Sequence, residues 1–221
     1  MDRTLLLPGE PAPVVLCGDG RFLAIGPLLP PSSRTVSERL RDFTKAVYGM
    51  DAVIGRVPDD AWDNPSPCEG WSARDVVAHQ VGVLNGVAHM AGGNEMKLPE
   101  TPEDRSDPTG LWAASRDGVL QALDTAGALQ HSGKYWFGPM SIDELIGVVQ
   151  WDPLTHAWDV AQAAGIDAAL DEDLAQKSYD RISAMRPSLV KMRLVGDEVA
   201  VPDDADIVSR YLGMVGRNPN G

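Results

Sequence analysis

Residues 141–165 read Ser141-Ile142-Asp143-Glu144-Leu145-Ile146-Gly147-Val148-Val149-Gln150-Trp151-Asp152-Pro153-Leu154-Thr155-His156-Ala157-Trp158-Asp159-Val160-Ala161-Gln162-Ala163-Ala164-Gly165. Ser141 stands three residues ahead of Glu144, the capping box in which hydroxyl and carboxylate satisfy the first free amides of a helix. Ile142, Leu145, Val149, Val160 and Ala163 then hold one apolar face as far as Gly165, which predicts a single long amphipathic helix. Pro153 removes one backbone donor and frees a carbonyl one turn back, so a kink is expected beside Asp152. Asp152 and His156 lie on the apolar face itself, one turn apart and stacked.

The rest of the chain repeats the helical pattern. Val36, Leu40, Phe43, Val47, Met50, Ile54 and Val57 recur at helical spacing after a Thr35/Glu38 capping box and before Pro58. Ser72 and Asp75 open a second helix through Val76, Val77, His79, Val83, Val87 and Met90 to Gly92-Gly93. Asp107-Pro108 caps a third, whose stripe runs from Leu111 and Trp112 through Val119 and Leu123 to Gly127. A shorter helix over about 171–186 and a small one over 207–214 complete the pattern. Four principal amphipathic helices with no comparable strand signal predict an all-α chain, an antiparallel four-helix bundle with short extra C-terminal helices. Residues 1–34 differ: proline and glycine surround Val14-Val15-Leu16-Cys17 and Phe22-Leu23-Ala24-Ile25. They read as a β-hairpin or extended arm on a bundle of residues 35–221.

Composition removes several classes of function. With 19 Lys and Arg against 32 Asp and Glu, the 221 residues carry a formal charge of −13, which repels phosphate backbones and anionic headgroups. Neither nucleic acid nor a membrane is an expected partner. Cys17 and Cys68 are the two cysteines, too few for a disulfide framework, and a reducing, cytoplasmic setting follows. The early apolar runs are too short and broken for a signal peptide or a membrane span. A homodimer is compatible with a bundle of this kind, though no segment marks an interface.

A carboxylate on an apolar seam needs a partner, because burying it ionised and alone costs several kcal/mol. His79 falls on the inward stripe of the second helix, between Val76 and Val83. His79, Asp152 and His156 together make two imidazoles and a carboxylate from two helices, the donor set of open zinc-type sites. The competing reading is two core histidines hydrogen-bonded near Asp152, and spacing does not separate the two. Trp151 and Trp158 read as packing residues, and Asp159 as a group that orients a ligand or caps a polar face. His89 lies about 15 Å along the axis from His79, too far to share an ion. His131 sits in a polar loop without an evident partner, and Cys68, near a helix start where a thiolate would be favoured, reads rather as a buried inert thiol.

Residues 62–79, Trp-Asp-Asn-Pro-Ser-Pro-Cys-Glu-Gly-Trp-Ser-Ala-Arg-Asp-Val-Val-Ala-His, closely resemble the signature of the mycothiol-dependent maleylpyruvate isomerase N-terminal family, within the DinB-like superfamily. The run from Asp152 through His156-Ala157-Trp158-Asp159 to Ala161 resembles that family's second signature. Val201-Pro202-Asp203-Asp204-Ala205-Asp206 and Gly216-Arg217-Asn218-Pro219 are similar to the closing motif of its actinobacterial metal-binding subgroup. The resemblance implies a DinB-type bundle holding a divalent metal, zinc ahead of nickel, at His79, Asp152 and His156. It also implies a mycothiol-type thiol as cofactor and a small electrophilic molecule as substrate, in a thiol transferase or isomerase. The alternative within the same superfamily is a non-catalytic, stress-related bundle with a structural ion. Two departures stand out: the isomerase has Glu at the position of Asp152, and it carries a C-terminal domain for which this chain is expected to be too short.

Overall fold

Two sequence-encoded caps set the frame. Ser72 accepts from the Asp75 amide while Asp75 accepts from the Ser72 amide, and Ser141 and Glu144 do the same. The structure, a computed structural model, describes residues 37–219 in full and the backbone of 14–16 and 22–24. The chain divides into two units, 1–36 and 37–221. In the first, β1 (Val14–Leu16) pairs antiparallel with β2 (Phe22–Ala24), Val14 opposite Ala24. The remainder of the N-terminal arm, Thr35 and Cys17 included, lies outside the described residues.

The second unit is predominantly helical. It comprises α1 (Glu38–Ile54), α2 (Ala73–Ala91), α3 (Pro108–Asp124), α4 (Ile142–Val149), α5 (Trp151–Ala164), α6 (Glu172–Lys191) and α7 (Ile207–Met214). A short hairpin, β3 (Ser132–Tyr135) with β4 (Gly138–Ser141), precedes α4. Helix α2 packs on α3 and α5, and α1 on α4 and α5, giving the four-helix bundle with α4 and α5 sharing one position. Its core holds Phe43, Val47, Met50, Val76, Leu84, Val87, Trp112, Leu145 and Val160. Each such side chain contributes about 1.5–3 kcal/mol when fully buried. A second core joins Trp151, Leu154 and Trp158 of α5 to Leu174, Ile182, Tyr211 and Leu212 of α6 and α7.

Several expectations are corrected. The long fourth helix is two: α4 stops at Val149 and α5 resumes at Trp151. The break stands one turn ahead of Pro153, whose missing N–H leaves the Val149 carbonyl without its helical donor. The first helix starts from Ser37, whose hydroxyl accepts from the Leu40 amide, and ends at Gly55 well before Pro58. The helix expected over 171–186 continues to Lys191 with Pro187 inside it. The β3–β4 hairpin went unpredicted because its strands, Ser-Gly-Lys-Tyr and Gly-Pro-Met-Ser, show no alternating apolar pattern. His131, ahead of that hairpin, has a partner after all: its Nδ1 stands 2.9 Å from the Ala91 carbonyl.

Helix α2 approaches its neighbours closely through a glycine. A Cβ at Gly82 would lie 2.8 Å from the carbonyl oxygen of Glu100, so the loop after α2 crosses its surface only because that position is bare. Among the described residues no helix is long and apolar enough to cross a membrane.

Candidate metal centre

The interior of the bundle carries polar groups where α2 meets the first turns of α5. The capping box at Ser72 fixes the start of α2, so that His79 arrives two turns later opposite α5. Asp152 sits in the first turn of α5 and His156 one turn further, with side chains 15% and 9% exposed; His79 is 28% exposed. His79 Nε2 is 3.6 Å from Asp152 Oδ2, and His156 Nε2 is 3.5 Å from Asp152 Oδ1. The two imidazole rings stand 5.1 Å apart at 74°. Ligand atoms of all three residues lie within 4.8 Å of one another.

These separations bear on both readings of the histidines. A 3.6 Å contact is too long for a hydrogen bond. Nitrogen and oxygen ligands about 2.0–2.1 Å from a tetrahedral ion stand roughly 3.3–3.4 Å from one another. The two contacts to Asp152 are close to that spacing, and two imidazoles with a carboxylate are a donor set that could hold zinc or a similar divalent ion.

Neighbouring groups hold the donors in place. Gln80, fully buried, donates from Nε2 to Asp152 Oδ2 at 2.7 Å. Asp159, also fully buried, lies 2.8 Å from His156 Nδ1. Arg217 grips the same carboxylate with both arms, Nε to Oδ1 at 3.0 Å and Nη2 to Oδ2 at 2.8 Å. A carboxylate so paired only accepts. His156 Nδ1 consequently carries the proton, and its Nε2 lone pair is directed to the side of Asp152 and His79.

The electrostatics agree. Burial pushes the Asp152 carboxyl up, but the His79 and His156 imidazoles and the Gln80 amide outweigh it and hold it at about 2. Burial likewise opposes ionisation of Asp159, yet His156 and Arg217 keep its carboxyl well below the usual range. For His79 burial acts downward, and the nearby Asp152 carboxylate reverses it to a net upward shift. Both acids are thus ionised at neutral pH, as metal ligation and ligand orientation require.

Cys68 closes the other flank. Its Sγ donates to Asp159 Oδ2 at 3.2 Å and receives Arg217 Nη2 at 3.3 Å. Burial first, then the Asp159 charge, push its thiol up to about 12 against the pull of Arg217, which fits an inert thiol. Trp71 lies beside both imidazoles, 5.2 Å from His79 and 6.4 Å from His156 between ring centres, and is 37% exposed. Trp151 and Trp158 are packing residues of the second core, and His89 is exposed on α2.

The structure brings together His79, Asp152, His156 and Asp159, each named from the sequence, and adds Gln80, which was not. Gln80 had a readable signal: it lies three or four residues from Val76, Val77, Val83 and Leu84, all buried, at the centre of the stripe on which His79 is marginal. Trp71, Cys68 and Arg217 carried a signal only as members of the family motifs. They come from loops and from a segment 58 residues past Asp159, and no local period brings such residues together.

Comparison with known proteins agrees with this architecture. Residues 43–161 match the mycothiol maleylpyruvate isomerase N-terminal domain family. Two uncharacterized proteins of Mycobacterium tuberculosis, from strains CDC 1551 / Oshkosh and ATCC 25618 / H37Rv, are each 31% identical over 185 residues. The match covers 78% of this chain and 96% of theirs. A crystal structure of the mycothiol-dependent maleylpyruvate isomerase superposes with a TM-score of 0.55 at 17% identity, over 83% of this chain and 90% of that one. With its central helices matched and relatives similar along most of its length, the chain belongs to the mycothiol maleylpyruvate isomerase N-terminal domain family.

Proposed function

We propose that this protein binds one divalent metal ion, zinc ahead of nickel, through His79, Asp152 and His156, and that it is a cytoplasmic thiol transferase or isomerase. Its cofactor in this reading is a low-molecular-weight thiol of the mycothiol type, and its substrate a small electrophile. The supporting observation is the convergence of three ligand atoms within 4.8 Å, with Asp159 fixing His156 to present Nε2. When bound, such an ion lowers the pKa of a coordinated thiol and supplies a thiolate at neutral pH.

The chain's own residues perform the remaining work. Gln80 leaves Asp152 one oxygen less committed to hydrogen bonding, because its amide engages Oδ2. Among the described residues the cluster around Asp152 contains three donor residues and no fourth that would close the coordination shell. The partial exposure of His79 and Trp71 gives a ligand access from that side, where the indole offers a flat apolar wall. This favours an open, reactive site over a purely structural ion, which would be enclosed by a fourth protein ligand.

Calorimetric titration of mycothiol into the zinc-loaded protein tests the reading. Saturable heat is expected, together with slower loss of zinc to a chelator once the thiol is bound. No heat and no protection would leave the structural-ion alternative.

A further inference from the structure

His156 faces a second set of metal-ligating groups on the side away from Asp152. Cys68 Sγ, a ring nitrogen of His156 and an oxygen of Asp159 also lie within 4.8 Å of one another. A thiol, an imidazole and a carboxylate form a donor set that zinc or cobalt takes readily. A cation already sits among them. Arg217 Nη2 donates to Asp159 Oδ2 at 2.8 Å and to Cys68 Sγ at 3.3 Å, while Nε donates to Asp159 Oδ1 at 3.0 Å.

The guanidinium is anchored from its own segment as well. Nη1 donates to the Val215 carbonyl at 3.2 Å, and the Arg217 amide donates to Leu212 at 2.8 Å. Its side chain is 14% exposed and that of Asp159 0%. A guanidinium remains charged at any working pH and offers a rigid fork of donors, so an incoming ion has to displace it as a unit.

We propose that Arg217 is a resident cation that keeps a second metal ion out of the Cys68–His156–Asp159 cluster and reserves His156 for the ion held with His79 and Asp152. The inference rests on the metal reading given under Proposed function. The two sets compete for one imidazole. An ion bound by Cys68 and Asp159 would take His156 Nδ1, releasing the Nδ1 and thiol protons to solvent. The hydrogen bond that directs Nε2 toward Asp152 would go with them. Arg217 is thereby a positioning residue, acting on the metal through Asp159 and His156.

Cobalt(II) titration of the metal-free full chain tests this, read by equilibrium dialysis and by the sulfur-to-cobalt charge-transfer band in the near ultraviolet. The wild-type protein is expected to take one cobalt per chain and to show no such band, even with excess ion. Arg217→Gln should take a second cobalt and develop the band, with affinity at the first site about 10–100-fold weaker. The band should vanish when Cys68→Ser is added. Arg217→Lys, which keeps the charge without the fork, should bind one cobalt and show no band. A thiolate band in the wild type would overturn the proposal. So would an Arg217→Gln protein that binds a single cobalt with wild-type affinity and no band. If Arg217→Gln does not fold, the wild-type and Lys arms still decide, because a band in either contradicts a guarding cation. A wild-type protein that binds no cobalt at all defeats the metal reading itself, a result distinct from these.

Discussion

Asp159 carries more of the site than its position outside the ligand triad implies. Its carboxylate accepts from His156, Arg217 and Cys68 at once, so a single oxygen pair sets a ligand's tautomer and neutralises a sheltered guanidinium. Asp159→Asn is expected to weaken zinc binding about 10–100-fold, measured against a competing chelator dye, through loss of the charge that fixes His156. The same change removes the carboxylate charge that offsets the sheltered Arg217 guanidinium, at a cost of about 3–5 kcal/mol. That exceeds the ~1 kcal/mol of a lost helix cap such as Ser72, so chemical denaturation should show Asp159→Asn as clearly the less stable of the two. Unchanged affinity in a folded Asp159→Asn protein would remove its orienting role.

At the level of elements, helix starts were the most legible feature. A hydroxyl three residues ahead of a carboxylate is a local chemical signal, and at Ser72 and Ser141 it formed the expected pair of bonds. Helix ends were less legible, because fraying and tertiary packing decide them: α1 stops short of Pro58 while α6 runs through Pro187. The caps also give the fold an acid limit. Backbone and hydroxyl hydrogen bonds from Ser141 hold Glu144 below its ordinary value, and those from Ser209 do the same for Asp206. A carboxyl group with a depressed folded-state pKa stabilises above the unfolded value, near 4, and loses that contribution as pH falls through the folded value. Thermal stability should therefore vary little with these groups from neutrality to about pH 5 and fall below about pH 4. Glu144→Gln should flatten part of that fall, and an equally steep decline in the variant would assign it to other carboxyls.

For the molecule as a whole, the apolar stripes specified the bundle and the polar interruptions of those stripes specified the triad. His79, Asp152 and His156 could be read because each sits at a helical position that apolar residues otherwise fill. The contact of Arg217 with Asp159 could not be read, since it depends on how α6 and α7 return the chain to α5. The same division predicts which properties separate. The cores are apolar and extensive, so the helical fold should outlast the metal site. The most direct test is the metal content of the purified wild-type protein and of Asp152→Ala after loading with zinc and gel filtration, alongside far-ultraviolet circular dichroism. One zinc per wild-type chain is expected, with almost none in Asp152→Ala and little change in helical signal. A wild-type protein that retains no zinc, or an Asp152→Ala protein that retains it fully, would contradict a metal centre at His79, Asp152 and His156.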